Sequence, residues 1–304
     1  MIVESWIFVT LIAAFFQNLR SALQKHSANN LSLLGASYVR FLFAFPFAII
    51  YLAGLDILVG CPSPDFNGQF FFYCLSGGIA QILFTVLLIS LFGSRNFAVG
   101  TVYSKTEIIQ VALLAFLILG EPLSGHALIA ICLTLFGVLL LTISNQVRSL
   151  RTLIAEADGR STFIGLASGS ALGSSVVFYR GAALSLEYDG PLFMAAAYTL
   201  VVALLIQTSV MGIWIFVKES ATFGVIRDYW KSSLAVGITG ILASIAWFTA
   251  FTMHNAAEVR ALGQVELVFT FLFSVFIFRE KPNLSEFGGI CFIMIGVLTL
   301  ILLG

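Results

Sequence analysis

Ten stretches of about twenty residues, almost free of charge and joined by short polar connections, dominate this sequence. They fall at 5–25, 32–54, 69–92, 96–119, 124–144, 162–185, 191–217, 231–252, 256–278 and 285–303. At a rise of about 1.5 Å per residue, roughly 20 apolar residues cross a hydrocarbon core. Only 10% of the 304 residues are charged, against roughly 25% in a soluble domain. Fifteen basic and fifteen acidic side chains cannot hydrate the surface of a soluble protein this long. A cytosolic enzyme, a disordered chain and a disulfide scaffold are excluded. The chain reads as an all-α polytopic membrane protein. The first stretch opens with Glu4, has no basic start and is interrupted by Gln17, Asn18 and Arg20, so it reads as a helix rather than a cleaved signal.

The usual chemistry-bearing motifs are absent. Net charge is zero, so no basic face recruits nucleic acid. Cys61, Cys74, Cys132 and Cys291 stand far apart, with no CxxC and no histidine at metal-ligand spacing. No GxxxxGK[ST], GxSxG or HExxH occurs. Neither a metal, a cofactor nor an enzymatic activity is expected.

The chain repeats itself. At an offset of 159, residues 92–143 align without a gap on 251–302. The identities include Phe92/Phe251, Asn96/Asn255, Glu107/Glu266, Glu121/Glu280, Cys132/Cys291 and the runs Gly137-Val138-Leu139 and Gly296-Val297-Leu298. Apolar coincidences are cheap in such a sequence, but matched glutamates and asparagines are not. At an offset of 160, Arg20 pairs with Arg180 and Ala22 with Ala182. The units are a first repeat over 1–145, a connecting loop over 146–161 and a second repeat over 162–304. Each holds five helices, an odd number, so the second copy enters the membrane from the opposite side. Inverted repeats are typical of secondary transporters that rock about a midplane site.

The ends of the fourth and ninth helices carry Leu119-Gly120-Glu121-Pro122-Leu123 and Arg279-Glu280-Lys281-Pro282, leading to Gly137 and Gly296. With the five-plus-five arrangement, these resemble the drug/metabolite transporter superfamily, EamA type, over essentially the whole chain. Many relatives carry a Glu-Pro pair fourteen residues before the loop glutamate. Glu107 and Glu266 match the Glu, but Ile108 and Leu267 replace the Pro, which removes the usual source of a kink.

Ten basic residues fall in loops: Lys25, Arg95, Arg148, Arg151, Arg160, Lys218, Arg227, Lys231, Arg279 and Lys281. All follow odd-numbered helices. The positive-inside rule makes that side cytoplasmic and leaves both termini outside. Family precedent draws both termini inside; the charge count belongs to this chain and is preferred. Within helices lie Arg20, Arg40, Lys105, Arg180 and Arg260, with Glu107, Glu258 and Glu266. A central charge facing lipid costs roughly 2.5–3.5 kcal/mol on insertion scales, so these should face the bundle interior. Glu107 and Glu266 each lie about 16 Å along the helix from its opening asparagine, near the midplane.

The site candidates follow from depth and spacing. Gln17, Arg20 and Gln24 form a stripe on the first helix, and Tyr103, Glu107 and Gln110 form another on the fourth. Arg40 is flanked at four-residue steps by Ala36 and Ala44, so it either contacts substrate or pairs with a glutamate to lock the bundle. Arg180 and Arg260 either contact a ligand or snorkel to the headgroups. Lys105 precedes Glu107 by two residues, and Gln264 holds that place before Glu266. The extra positive charge keeps Glu107 ionised and leaves Glu266 the better proton carrier. Arg260, six residues before Glu266, should neutralise it only if the helix is broken. Gly165, Gly169 and Gly173 form a GxxxGxxxG face for close helix packing or sliding.

The resemblance implies a transporter of the plasma (inner) membrane exporting amino acids or related carboxylate-bearing metabolites by alternating access. The surplus of in-membrane positive charge agrees with an anionic substrate. Without an ATP motif, energy must come from an ion gradient such as protons, from exchange or from the substrate's own gradient. Its partners are then the small-molecule substrate and membrane lipids; no feature sets an oligomeric state. The alternative is a non-transporting protein such as a lipid scramblase or structural subunit. The topology is testable by cysteine labelling at Ser149 in a background without native cysteines. An impermeant reagent should leave Ser149→Cys unlabelled in intact cells and label it after permeabilisation; labelling of intact cells reverses the topology.

Overall fold

The computed structural model describes residues 2–27, 31–60, 62–92, 97–146, 159–276, 279 and 283–303. The expected positions of Glu280 and of the loop residue Ser149 lie outside these. The described elements are α1 (Ile2–Ser27), α2 (Leu33–Leu42), α3 (Ala44–Val59), α4 (Gly68–Phe92), α5 (Phe97–Ser104), α6 (Glu107–Leu119) and α7 (Gly125–Gln146). They continue as α8 (Gly159–Ser185), α9 (Leu192–Lys218), α10 (Ala221–Asp228), α11 (Trp230–Met253), α12 (Ala256–Gly263), α13 (Val265–Phe276) and α14 (Leu284–Leu303). Ten spans are long and apolar enough to cross a membrane. The second, fourth and ninth are each built from two helices, α2–α3, α5–α6 and α12–α13. The short α10 lies between the seventh and eighth spans, a position read from the sequence as loop.

The resemblance motif acts as helix punctuation. Gly120 sits at φ +67°, in the left-handed region where a side chain is strained, and its N–H bonds to Phe116 O to close α6. Pro122 cannot extend the helix. Ser124 then starts α7 by accepting from Ala127 N at 3.1 Å. Its repeat counterpart Asn283 starts α14 with a reciprocal pair: Asn283 Oδ1 accepts from Glu286 N at 2.8 Å, and Asn283 N donates to Glu286 Oε2 at 3.0 Å.

By contacts the chain divides into two compact units, Met1–Ile82 with Phe178–His254, and Leu83–Val177 with Asn255–Gly304. Each draws helices from both sequence repeats. In the first unit α1 packs along α11, while α9 packs on α2, α3 and α11. Its core holds Tyr38, Val39, Phe41, Leu200, Leu204, Ile215 and Val236. A Cβ at Gly237 would sit 2.3 Å from Phe43 Cβ, at the step between α2 and α3, so that residue lets α11 approach the interrupted second span.

In the second unit α7 and α14 lie closest. Lipid is as apolar as leucine, so burial does not drive helices together there; close contact does. A Cβ at Gly137 would stand 2.6 Å from Gly289 O and 2.7 Å from Ile293 N, and one at Gly296 would stand 2.3 Å from Thr134 Oγ1. Backbone therefore meets backbone along this pair. Gly137→Val should lower the thermal midpoint in detergent, at an overpacking cost of about 1–3 kcal/mol or more, because the atoms in its way are main chain. Gly288→Ala on the same pair, with only Leu140 Cδ2 at 3.7 Å, should be neutral or stabilising.

Candidate functional site

Two helix breaks at repeat-equivalent positions organise the second unit. After Ser104 the backbone tightens to i→i−3 bonds: Lys105 N to Val102 O at 3.1 Å, and Thr106 N to Tyr103 O at 3.2 Å. Thr106 Oγ1 also bonds to Tyr103 O, at 2.7 Å. The same tightening occurs at Gln264, whose N–H reaches Ala261 O at 3.2 Å while Leu267 N reaches Gln264 O at 2.9 Å. The breaks thus occur without the proline of the relatives. Each restarts on a glutamate in the first turn, Glu107 in α6 and Glu266 in α13. A carboxylate there complements the positive helix N-terminus.

Glu107 and Arg260 form a buried ion pair. Arg260 Nε donates to Glu107 Oε1 at 2.9 Å and Nη2 donates to the same oxygen at 2.5 Å. Glu107 is 2% exposed and Arg260 6%. The snorkelling reading of Arg260 is therefore corrected: its side chain turns into the unit because a carboxylate 153 residues away offers a partner. The charge that meets Glu107 comes from Arg260 rather than Lys105. Arg260 lies in the last turn of α12, where a cation complements the helix C-terminus. The break at Gln264 also leaves Glu266 within electrostatic range of the same guanidinium.

The neighbours hold these breaks in place. Gln264 is fully buried, with Nε2 directed to Arg260 O at 3.4 Å. Gln110 donates to Thr106 Oγ1 at 2.8 Å and accepts from Ser170 Oγ at 2.7 Å, tying the fourth span to α8. The glycine face of α8 runs along both halves of that span. A Cβ at Gly165 would meet Gly100 O at 2.3 Å, one at Gly169 would meet Ser104 O at 2.9 Å, and one at Gly173 would meet Val111 Cγ2 at 3.3 Å. Tyr103 Cβ also lies 2.9 Å from the Gly165 position. The face expected for close packing thus straddles the break. Lys105, within the first break, and Glu266, just after the second, are half-buried.

The remaining candidates belong to the first unit. The stripe on α1 joins it to neighbours: Gln17 Oε1 accepts from Trp247 Nε1 at 2.9 Å, and Gln24 Nε2 donates to Ala36 O at 2.8 Å. Between them Arg20 packs on Gly240, where a Cβ would meet Arg20 Cδ at 3.5 Å and Arg40 O at 3.6 Å. The two guanidinium groups lie in electrostatic range of each other. That of Arg40 stands 4.3 Å over the Phe41 ring. Arg180 instead meets the carbonyls of Phe251 and His254 at the end of α11.

Gln81 and Gln207 are uncharged, and a count of in-membrane charges passes over them. Gln207 Nε2 donates to Gln81 Oε1 at 2.6 Å and to Tyr179 OH at 2.8 Å, joining α9, α4 and α8 inside the first unit. The available signal was an amide in the middle of an apolar span, where each polar group needs a partner. The partner of Arg260 could not be read from local spacing either. A crevice of about 460 Å³ in the same unit is lined by Val9, Phe16, Tyr51, Leu55, Ile245 and Thr249 and includes none of the candidates. Among the described residues, no three His, Cys, Asp or Glu side chains group to hold a metal.

Breaking the buried pair from one side should be costly. Glu107→Gln or Arg260→Gln should each lose about 3–5 kcal/mol in reversible unfolding, because the other charge is left alone in a dry site. The double replacement Glu107→Leu with Arg260→Met should recover most of that loss; additive losses would mean that the pair does not couple.

The family model described as EamA-like transporter family matches residues 4–143 and again 160–302, one match per repeat. No curated protein sequence matches the chain. A solved structure described as "Crystal structure of protein" is similar with a TM-score of 0.73 and 14% identity, covering 99% of this chain and 98% of its own. At that identity the likeness speaks for the fold alone. Two consecutive family matches spanning nearly the whole chain, with ten apolar spans and the two-repeat architecture, favour transport over the scramblase and structural-subunit readings. The chain belongs to the EamA-like transporter family and is a multi-pass membrane transporter of the drug/metabolite type.

Proposed function

We propose that this protein exports a small polar metabolite, an amino acid or related carboxylate-bearing compound, across the plasma (inner) membrane by alternating access. One observation carries the reading: the fourth and ninth spans are broken at repeat-equivalent positions, each with a glutamate in the turn after the break. Broken helices at the midplane expose backbone ends and charged side chains where a substrate or coupling ion can use them. The two carboxylates are not equivalent. Glu107 is held by Arg260 and is the structural residue of the two. Glu266 is half-buried, opens the helix after its break and is the proton carrier. Arg20 and Arg40, brought together on Gly240, supply the positive field for a carboxylate. The bodies that move are the compact units, each of which mixes helices of both repeats.

The test begins with an untargeted comparison of metabolites released by cells with and without the protein. The substrate so found is then followed in proteoliposomes with and without an imposed pH gradient. Glu266→Gln should retain exchange of substrate but lose the response to the gradient, whereas Arg20→Gln should weaken binding and keep that response. Proton-driven transport that survives Glu266→Gln with its pH response intact rules out the carrier role.

A further inference from the structure

The connection between α11 and α12 is only His254 and Asn255, and it is fastened from three sides. The last carbonyls of any helix lack an intrahelical donor and must find one elsewhere. At this end Ala250 O is met by His254 N, at 3.0 Å. The next carbonyls are met by a side chain: Arg180 Nη1 donates to Phe251 O, to His254 O at 2.5 Å and, weakly, to Thr252 O at 3.5 Å. A cation at this place also complements the negative end of α11. The His254 ring stacks on the Trp6 indole, with centroids 4.1 Å apart and planes inclined by 12°. On the far side Asn255 starts α12, accepting from Ala257 N at 2.9 Å.

The place of this connection gives it a consequence. His254 is the last residue of the first compact unit, and Asn255 the first of the second. The chain also passes between the units at Ile82 and Leu83 and at Val177 and Phe178, but there it runs inside the continuous helices α4 and α8. Among the described residues, His254 and Asn255 form the one passage in extended rather than helical backbone. Arg180 lies three residues after the passage in α8 and fastens the end of α11. A guanidinium suits this task because its planar fork reaches several carbonyls at once, which a point-like ammonium does not.

We infer that Arg180 is the positioning residue of a pivot at His254 and Asn255: it holds the end of α11 fixed so that, at this passage, rotation falls on two backbone residues. This differs from both roles its sequence position offered, ligand contact and snorkelling to the headgroups. Its repeat counterpart Arg20 packs instead on Gly240, so the duplicated arginine has acquired different work in the two halves.

Hydrogen exchange of the full-length protein in detergent tests the fastening directly, and transport kinetics test its use. Arg180→Gln should raise amide exchange over 251–257 by about tenfold while leaving the middle of α11 unchanged. Arg180→Lys should give an intermediate rise and stands in if the glutamine variant does not fold. In proteoliposomes the same variants should lower turnover with the apparent substrate KM within about twofold of the parent, lysine restoring part of the rate. Unchanged exchange over 251–257 in whichever variant folds overturns the fastening, whatever the protein transports. A raised KM with unchanged turnover makes Arg180 a substrate contact and overturns the pivot. The kinetic arm rests on the transporter reading; the exchange arm does not, so the two can fail separately.

Discussion

Hydrocarbon offers a peptide backbone no water, so every N–H and C=O released from a helix must be met by the chain itself. Several irregular places in this protein carry their own remedy. At Lys105 and Gln264 the bonds tighten to i→i−3 instead of opening. At the end of α11 a guanidinium supplies the missing donors. Along α5 and α6 the glycine face of α8 brings backbone against the break, and Gln110 bridges the remaining polar atoms. The irregular segments are also where the charged residues gather, since a broken helix exposes dipole ends that a glutamate or an arginine can complement.

The second dependence is on close approach. With no hydrophobic gain from association in lipid, the α7–α14 pair is held by dispersion and backbone proximity through Gly137, Gly289 and Gly296. These glycines fall in the best-matched part of the repeat, and both copies use them on each other. Elsewhere the copies have diverged. Glu107 is bonded directly to a guanidinium, while its counterpart Glu266 lies in the field of the same group. Duplication supplies two equivalent positions; asymmetry between them lets one be structural and the other exchange a proton in the proposed cycle.

The repeats of the sequence and the compact units of the fold are different partitions of one chain. A unit built from helices of both repeats cannot be recognised by aligning the halves, because internal alignment reports ancestry and not packing. The distinction matters for transport, in which rigid bodies are defined by contacts. It also explains why so few residues are available for hinges: two of the three passages between units run inside continuous helix.

The sequence by itself determined the membrane environment, the ten spans, the inverted duplication and the short set of charges inside the bilayer. Those follow from local quantities: length against bilayer thickness, periodicity, and the cost of an ion in hydrocarbon. It also marked Glu107 and Glu266 as equivalent positions of the two copies. Only the tertiary structure decided that Arg260 turns inward to Glu107, that Arg180 closes a helix end, and that Gln207 joins Gln81 and Tyr179. The breaks in the fourth and ninth spans belong with these. Their usual marker, proline, is missing, and the backbone is held there by side chains such as Thr106 and Gln264 and by the close approach of α8. A partner 153 residues away leaves no trace in spacing, because which side of a buried helix an arginine enters is set by what lies opposite it.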